Sequence, residues 1–301
     1  MGQPQHTERA APAAPAIPVR AYVELAKPRI LVMVLVSAML GFFLAGGGLH
    51  AFPVLMAFLV GTAMVSGGAA ALNHCVEREP DSLMERTRMR PIPAGVIALG
   101  DGFLFGAGLI ASGAALLLWY VNPLTAALAL VTAALYVFVY TPLKQVSWLN
   151  TLVGAVPGAI PPLGGWAAAT GRLDAGAWAL FLILFLWQQP HFFAIAWMFR
   201  DDYRRGGFQM LPSLKGGEGR TIRQILFFLA LLIPASLAPY WLGLTGPVYA
   251  VGAVLLGLWF FASGAALARS HSLMDARRVL RVSVIYLPLL LFLIAADAAW
   301  F

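Results

Sequence analysis

The sequence predicts an all-α membrane protein that crosses the bilayer nine times around a central cavity. Three observations predict it: the ratio of apolar to charged residues, the number and length of the apolar runs, and the distribution of basic residues between those runs. Of 301 residues, 60% are hydrophobic and 11% charged, and the mean hydropathy is +0.81. Soluble domains carry roughly a quarter charged residues. So much apolar sequence with so few charges excludes disordered chains, collagen, coiled coils and disulfide-stapled secreted scaffolds together. The single cysteine, Cys75, can form neither an intramolecular disulfide nor a zinc knuckle.

A helix needs about 17–25 predominantly apolar residues to span a bilayer. Runs of that kind occupy 30–46, 52–72, 102–121, 123–141, 151–169, 176–199, 224–244, 248–268 and 282–300. Nine is odd, so the termini lie on opposite sides. With the N-terminus in the cytoplasm, 19 of the 20 basic residues fall on the inner side and only Arg172 falls outside. That segregation obeys the positive-inside rule, and one missed span would scramble it. The basic pI of 9.9 is therefore a topology signal, and nucleic acid is not an expected partner. Residues 1–28 are rich in Ala and Pro and lack both a signal-peptide core and an Arg-rich amphipathic presequence. They are expected to form a disordered cytoplasmic tail ahead of one membrane domain at 29–301, in a bacterial plasma (inner) membrane.

Taken in order, spans 1 and 2 are joined by a short outer link at 47–51, and span 2 is followed by a long inner connection at 73–101. Only Asn122 separates spans 3 and 4. Span 5 contains Gly154, Pro157, Gly158, Pro161, Pro162, Gly164 and Gly165. So broken a helix is tolerated at membrane depth only when it is buried in protein or lines a cavity, which predicts the central cavity. Span 6 leads into the second long inner connection, 200–223, and spans 7 to 9 follow with short links. Each long connection follows the second span of a block of four, with span 9 left over. This implies a parallel repeat whose long loops meet on one side, where repeat proteins of the membrane commonly place a binding site.

The first long connection opens with Asn73, Glu77 and Asp81, spaced i, i+4, i+8, which on a continuing helix share one face. Three hard oxygen ligands in a column suit a divalent cation such as Mg²⁺ that also bridges phosphate oxygens. A helix leaving the bilayer also turns polar without any metal, and Pro80 is expected to kink or end the helix before Asp81. Downstream, Arg86 and Arg90 offer guanidinium forks that match a diphosphate, although charge alone favours reading them as positive-inside anchors on anionic lipid. The second connection repeats the composition with Asp201, Asp202 and Arg204. Like-charged carboxylates converging at a membrane rim need a cation, so their recurrence at equivalent places favours a metal and phosphate site. His191 follows Pro190 within span 6. An imidazole at that depth is an iron ligand, a proton carrier or a donor to a propionate, or else it is satisfied by a carbonyl that Pro190 frees. His74, beside the column, could serve similarly.

These stretches resemble the intramembrane UbiA-type prenyltransferases, in the branch that modifies haem. The likeness is carried by Asn73-x3-Glu77-x3-Asp81, by Met84-x-Arg86-Thr87-x2-Arg90-Pro91-x-Pro93-x-Gly95 and by Tyr140-Thr141-Pro142-Leu143-Lys144. It continues through Pro161-Pro162-Leu163-x-Gly165-Trp166, Trp187-Gln188-x-Pro190-His191-Phe192 and Asp202-Tyr203-x3-Gly207-Phe208-x-Met210-Leu211-Pro212. The resemblance implies a nine-helix bundle whose cavity opens toward lipid, with Mg²⁺ held at catalytic Asn73, Glu77, Asp81, Asp201 and Asp202. It implies that Arg86, Arg90, Lys144 and Arg204 bind diphosphate and that His191 binds haem. The implied reaction moves a farnesyl group from farnesyl diphosphate to the 2-vinyl group of haem b, with addition of water, giving haem O. Haem A synthase or an oxidase assembly factor is a candidate partner. Glu77 stands where much of the superfamily has Asp, and Pro80 is a further departure. Two alternatives stay open on the residues alone: prenylation of another aromatic such as 4-hydroxybenzoate or of chlorophyllide, and a transporter with a cytoplasmic-side ion site. A transporter should carry charge near the midplane, whereas here nearly every carboxylate lies at one rim.

Overall fold

The computed structural model describes residues 19–48 and 51–298, in which all regular structure is helical. Eight helices are long and apolar enough to cross a membrane, and a bent pair makes a ninth. That pair is α1 (Val19–Leu25) and α2 (Pro28–Leu44), set at 52° to one another. The bend follows from Pro28, which bars the preceding residue from the right-handed helical basin. Lys27 instead takes a left-handed φ of 51°. Residues 19–28 are thus not part of a disordered tail as expected: Ala21 and Leu25 bury against Ala71, Ile92 and Ile97 and fix α1 to the bundle. Residues 1–18 lie outside the described residues.

The second crossing, α3 (Phe52–Val76), is followed by the short α4 (Arg78–Leu83). The predicted break at Pro80 falls earlier, at Glu77. Pro80 sits in the first turn of α4, where a missing N–H leaves no helical hydrogen bond unmade. Asp81 N still bonds Glu77 O at 2.8 Å, so the column continues past the joint. Next come α5 (Leu99–Tyr120) and α6 (Pro123–Ala134). The Asn122 side chain caps α6 by accepting from Thr125 N at 2.8 Å, and it donates to Ala167 O at 2.7 Å. A π-helical turn at Leu135–Tyr140 carries α6 into α7 (Thr141–Val146).

The fifth crossing is split into α8 (Asn150–Ala159) and α9 (Pro161–Thr170), and it is the most buried of the crossing helices, as its composition requires. The chain then forms α10 (Ala175–Met198), α11 (Arg200–Arg205), a 3₁₀ turn at Leu211–Ser213, α12 (Gly217–Ala235) and α13 (Ala238–Trp241). It ends in α14 (Pro247–Ser270) and α15 (Leu273–Ala298).

Small residues let the helix backbones approach closely, the usual solution where lipid tails compete with side chains for apolar contact. A Cβ built on Gly68 of α3 would lie 2.5 Å from Gly106 O of α5. One on Gly165 of α9 would lie 1.9 Å from Ala38 O of α2. One core forms around Phe42, Phe58 and Leu117, and a larger one around Trp197, Tyr249, Phe260 and Tyr286. The α3–α5 pair in the first block and the α10–α12 pair in the second pack as counterparts, consistent with the parallel repeat. Among the described residues, the bundle opens in at least two places. A cavity of about 40 Å³ adjoins the break in the fifth crossing, lined by Thr62, Ser66, Thr125, Thr132 and Pro161 among others. An apolar cleft of about 530 Å³ separates the first and last crossings, between Leu40 and Phe43 of α2 and Pro288, Leu291 and Phe292 of α15.

Candidate active site

At the end of α3, Asn73 is 0% and Asp81 1% exposed, and Glu77 is buried with them. Each of the three finds one cation. Lys27 Nζ donates to Asn73 Oδ1 at 2.6 Å, Lys144 Nζ to Glu77 Oε1 at 2.6 Å, and Arg90 Nη1 to Asp81 Oδ2 at 2.7 Å. The spacing that puts the oxygens on one face thus meets a matching row of positive charge drawn from three separate places in the chain. Asn73 is further fixed by donating to Thr141 Oγ1 at 3.0 Å, and Thr141 in turn donates to Tyr136 O at 2.7 Å. The π-helical turn delivers this cluster, with Lys144 Nζ 4.5 Å from the centre of the Tyr140 ring. Gln209 N bonds Lys144 O at 2.7 Å and so ties the second long loop to the same place.

Lys27 is the residue that sequence reasoning missed as a site residue. Its signal is the Lys-Pro step at the head of the first crossing: the proline disfavours a right-handed helical Lys27, and the left-handed turn found there brings the ammonium to Asn73.

The second pair of expected carboxylates sits differently. Asp202 is buried and joins the two long loops: its Oδ1 accepts from Glu85 N at 2.9 Å and from Arg205 at 2.7 Å, and its Oδ2 from Arg86 N at 3.4 Å. Burial opposes the Asp202 charge, but the Arg205 hydrogen bond, the two backbone N–H groups and the Arg205 charge outweigh it and hold the carboxyl below its usual range. Asp201 is exposed and pairs with Arg204 at 3.1 Å. Arg86 stacks 5.3 Å from the Phe199 ring and donates to Tyr203 Oη at 3.3 Å. The structure therefore gathers Asn73, Glu77, Asp81, Arg90 and Lys144 in one cluster and holds Arg86, Asp201, Asp202 and Arg204 in the adjoining loop pair. His191 lies on α10 about 10 Å along the helix from Met198, seven residues at 1.5 Å each.

The loop junction has a pH signature. A carboxyl whose folded pKa lies below its unfolded value adds stability that is complete above the unfolded value and disappears as pH falls through the folded one. Below about pH 4, where ordinary carboxylates protonate, the Glu85 and Arg86 amides are expected to lose protection in hydrogen exchange. Asp202→Asn should show that loss already at neutral pH, and unchanged protection in the variant would exclude the junction.

The donor set of the column fits Mg²⁺. All three side chains offer hard oxygen, and Asp81 Oδ1 is a buried acceptor without a hydrogen-bond partner among the described residues. Both ring nitrogens of His74 are likewise buried and unpartnered there. No group of three or more His, Cys, Asp or Glu surrounds one metal position among the described residues; the column's third oxygen comes from Asn73, and its two carboxylates are paired with Lys144 and Arg90.

Residues 34–293 match the model of the UbiA prenyltransferase family. The chain belongs to that family. As a UbiA-family protein it has relatives that include proteins called protoheme IX farnesyltransferase. That of Solibacter usitatus is 45% identical over 93% of this chain and 99% of its own. That of Salinibacter ruber is 46% identical over 93% and 98%, and that of an Anaeromyxobacter species 47% over 88% and 89%. Among solved structures, a digeranylgeranylglyceryl phosphate synthase superposes with a TM-score of 0.79 at 18% identity, over 94% of this chain and 99% of that one. A UbiA homologue from Archaeoglobus fulgidus bound to DMAPP and Mg²⁺ gives 0.70 at 17%, over 93% and 100%. These two establish the fold: a UbiA-type multi-pass membrane bundle. Membership of a prenyltransferase family decides against the transporter alternative.

Proposed function

We propose that the protein transfers a farnesyl group from farnesyl diphosphate to the 2-vinyl group of haem b, with addition of water, releasing haem O and diphosphate. One observation carries the diphosphate half: a buried column of three oxygens at the end of α3, each facing its own cation, with Asp81 Oδ1 left unpartnered. The haem half is supported by the relatives above, which match nearly the whole chain.

In this reading Asn73, Glu77 and Asp81 would hold Mg²⁺; Asp202, expected as a further ligand, instead joins the two long loops beside the column, and Asp201 would contribute from the second loop. When bound, the metal would supply charge neutralisation for the departing diphosphate. Arg86, Arg90, Lys144 and Arg204 bind the remaining diphosphate oxygens, and Lys27 joins them at Asn73. Cations fixed before the reaction stabilise the leaving group without reorganising at the moment the carbon–oxygen bond breaks. The apolar surroundings keep water from the allylic cation. The vinyl π electrons form the new bond to farnesyl C1. The carbocation left on the porphyrin side chain takes up water and loses a proton, which gives the hydroxyethylfarnesyl group. His191 positions the haem. The distribution of basic residues supports an N-terminus on the cytoplasmic side of a bacterial plasma membrane, with diphosphate entering from the cytosol. Haem A synthase or an oxidase assembly factor is the proposed protein partner.

Extraction and mass analysis of pigments from cells expressing the chain tests the assignment. Haem O is expected to accumulate. A prenylated hydroxybenzoate without modified haem would transfer the assignment to the aromatic acceptor.

A further inference from the structure

Resting on the reading of haem as acceptor, we infer that Ser283 is a positioning residue: it fixes the His191 imidazole as an Nδ1–H donor and thereby presents the Nε2 lone pair to the haem iron. The argument is an accounting of protons. His191 Nδ1 lies 2.7 Å from Ser283 Oγ. A serine hydroxyl has one hydrogen, and Ser283 spends it on Leu280 O, 2.6 Å away in its own helix. With its hydrogen directed to Leu280 O, the hydroxyl accepts from the imidazole, and this is the tautomer we infer. Nδ1 therefore carries the proton, and in a neutral ring the lone pair resides on Nε2. Nε2 has no hydrogen-bond partner among the described residues and is not among the polar atoms sealed inside the protein.

A second contact locks the same ring. Trp187, one turn earlier on α10, lies over His191 with ring centroids 5.2 Å apart and planes at 28°. Its Nε1 donates to Ser283 O at 2.9 Å. Ser283 thus receives both members of the α10 pair, His191 on its hydroxyl and Trp187 on its carbonyl, and turning the imidazole over would forfeit the Nδ1 bond. An imidazole that binds a metal through one nitrogen characteristically donates the other N–H to a fixed acceptor, which sets its orientation and raises its basicity. Here that acceptor comes from the last crossing, so α15 aligns a ligand carried on α10.

The test uses the full-length protein in lipid nanodiscs titrated with haem b, followed by optical absorption and, in the ferrous state, by the iron–histidine stretch in resonance Raman spectra. Wild type is expected to bind haem with a histidine-ligated spectrum that His191→Ala abolishes. Ser283→Ala removes one buried oxygen and little volume. It is expected to weaken haem binding by about 10–100-fold and to lower the stretch frequency, while Ser283→Thr, which keeps the hydroxyl, restores both. An Ser283→Ala spectrum and affinity equal to wild type would overturn the positioning role, as would a histidine signature surviving in His191→Ala. Failure of wild type to bind haem at all would instead remove the acceptor reading on which the inference stands, an outcome the same titration separates from the other two.

Discussion

Asp81→Asn is expected to lower farnesyl transfer by about 10²–10³, the usual cost of removing one preorganised electrostatic contact to a developing charge. Asparagine keeps the shape of the side chain, and its carbonyl oxygen can still accept from Arg90, which now bonds Asp81 Oδ2 at 2.7 Å. The change falls on charge and on Oδ1, the atom that no protein group satisfies among the described residues. Asp81→Ala would be a poorer experiment. It would leave the Arg90 guanidinium without its carboxylate in a buried setting, a loss on the order of 3–5 kcal/mol that could unfold the site and mimic a catalytic effect. The measurement is turnover of farnesyl diphosphate and haem b by purified variant at saturating Mg²⁺, with thermal unfolding as the control. A variant as stable as wild type and equally active would reduce Asp81 to a structural partner of Arg90.

Gly165→Ala is expected to destabilise the bundle by about 3 kcal/mol, the upper end of what overpacking a core costs. The added methyl would sit 1.9 Å from Ala38 O and 2.8 Å from Phe42 N, both backbone atoms that no side-chain rotation can move. Helix α2 must retreat from α9, and Lys27 at its head is carried away from Asn73. The same variant should therefore lose activity beyond its loss of stability. Gly108→Ala, where nothing stands within 4 Å of the added carbon, is the control and should be neutral or slightly stabilising. Equal melting temperatures for Gly165→Ala and wild type would contradict so close an α2–α9 contact.

The crossing count was legible because hydropathy and charge segregation are additive properties of the chain, indifferent to which helix packs on which. The buried state of the fifth crossing was legible for a related reason: Pro157, Pro161 and Pro162 interrupt the helical hydrogen bonds, and lipid cannot replace them. Local exceptions were read less well. Pro80 was expected to break the helix where it stands, yet the joint fell at Glu77, because a proline in a first turn removes no bond that the helix makes. Residues 1–28 taken together are rich in Ala and Pro, which hides the apolar stretch from Val19: Ala21 and Leu25 anchor α1 against Ala71 and Ile92.

The candidate site divides in the same way. Asn73, Glu77 and Asp81 were visible as one face because helical periodicity is a local property. Their cations were not assignable from spacing, since Lys27, Arg90 and Lys144 come from three segments and meet the column only in the folded bundle. Nor could composition distinguish Asp202, spent on joining two loops, from Asp201, exposed beside Arg204. The sequence by itself determined the membrane, the number of crossings, the gathering of charge at one rim and the residue types available for phosphate chemistry. Only the tertiary structure decided which cation faces which oxygen, because pairing energies depend on distance and burial, and both arise from contacts between residues far apart in the chain.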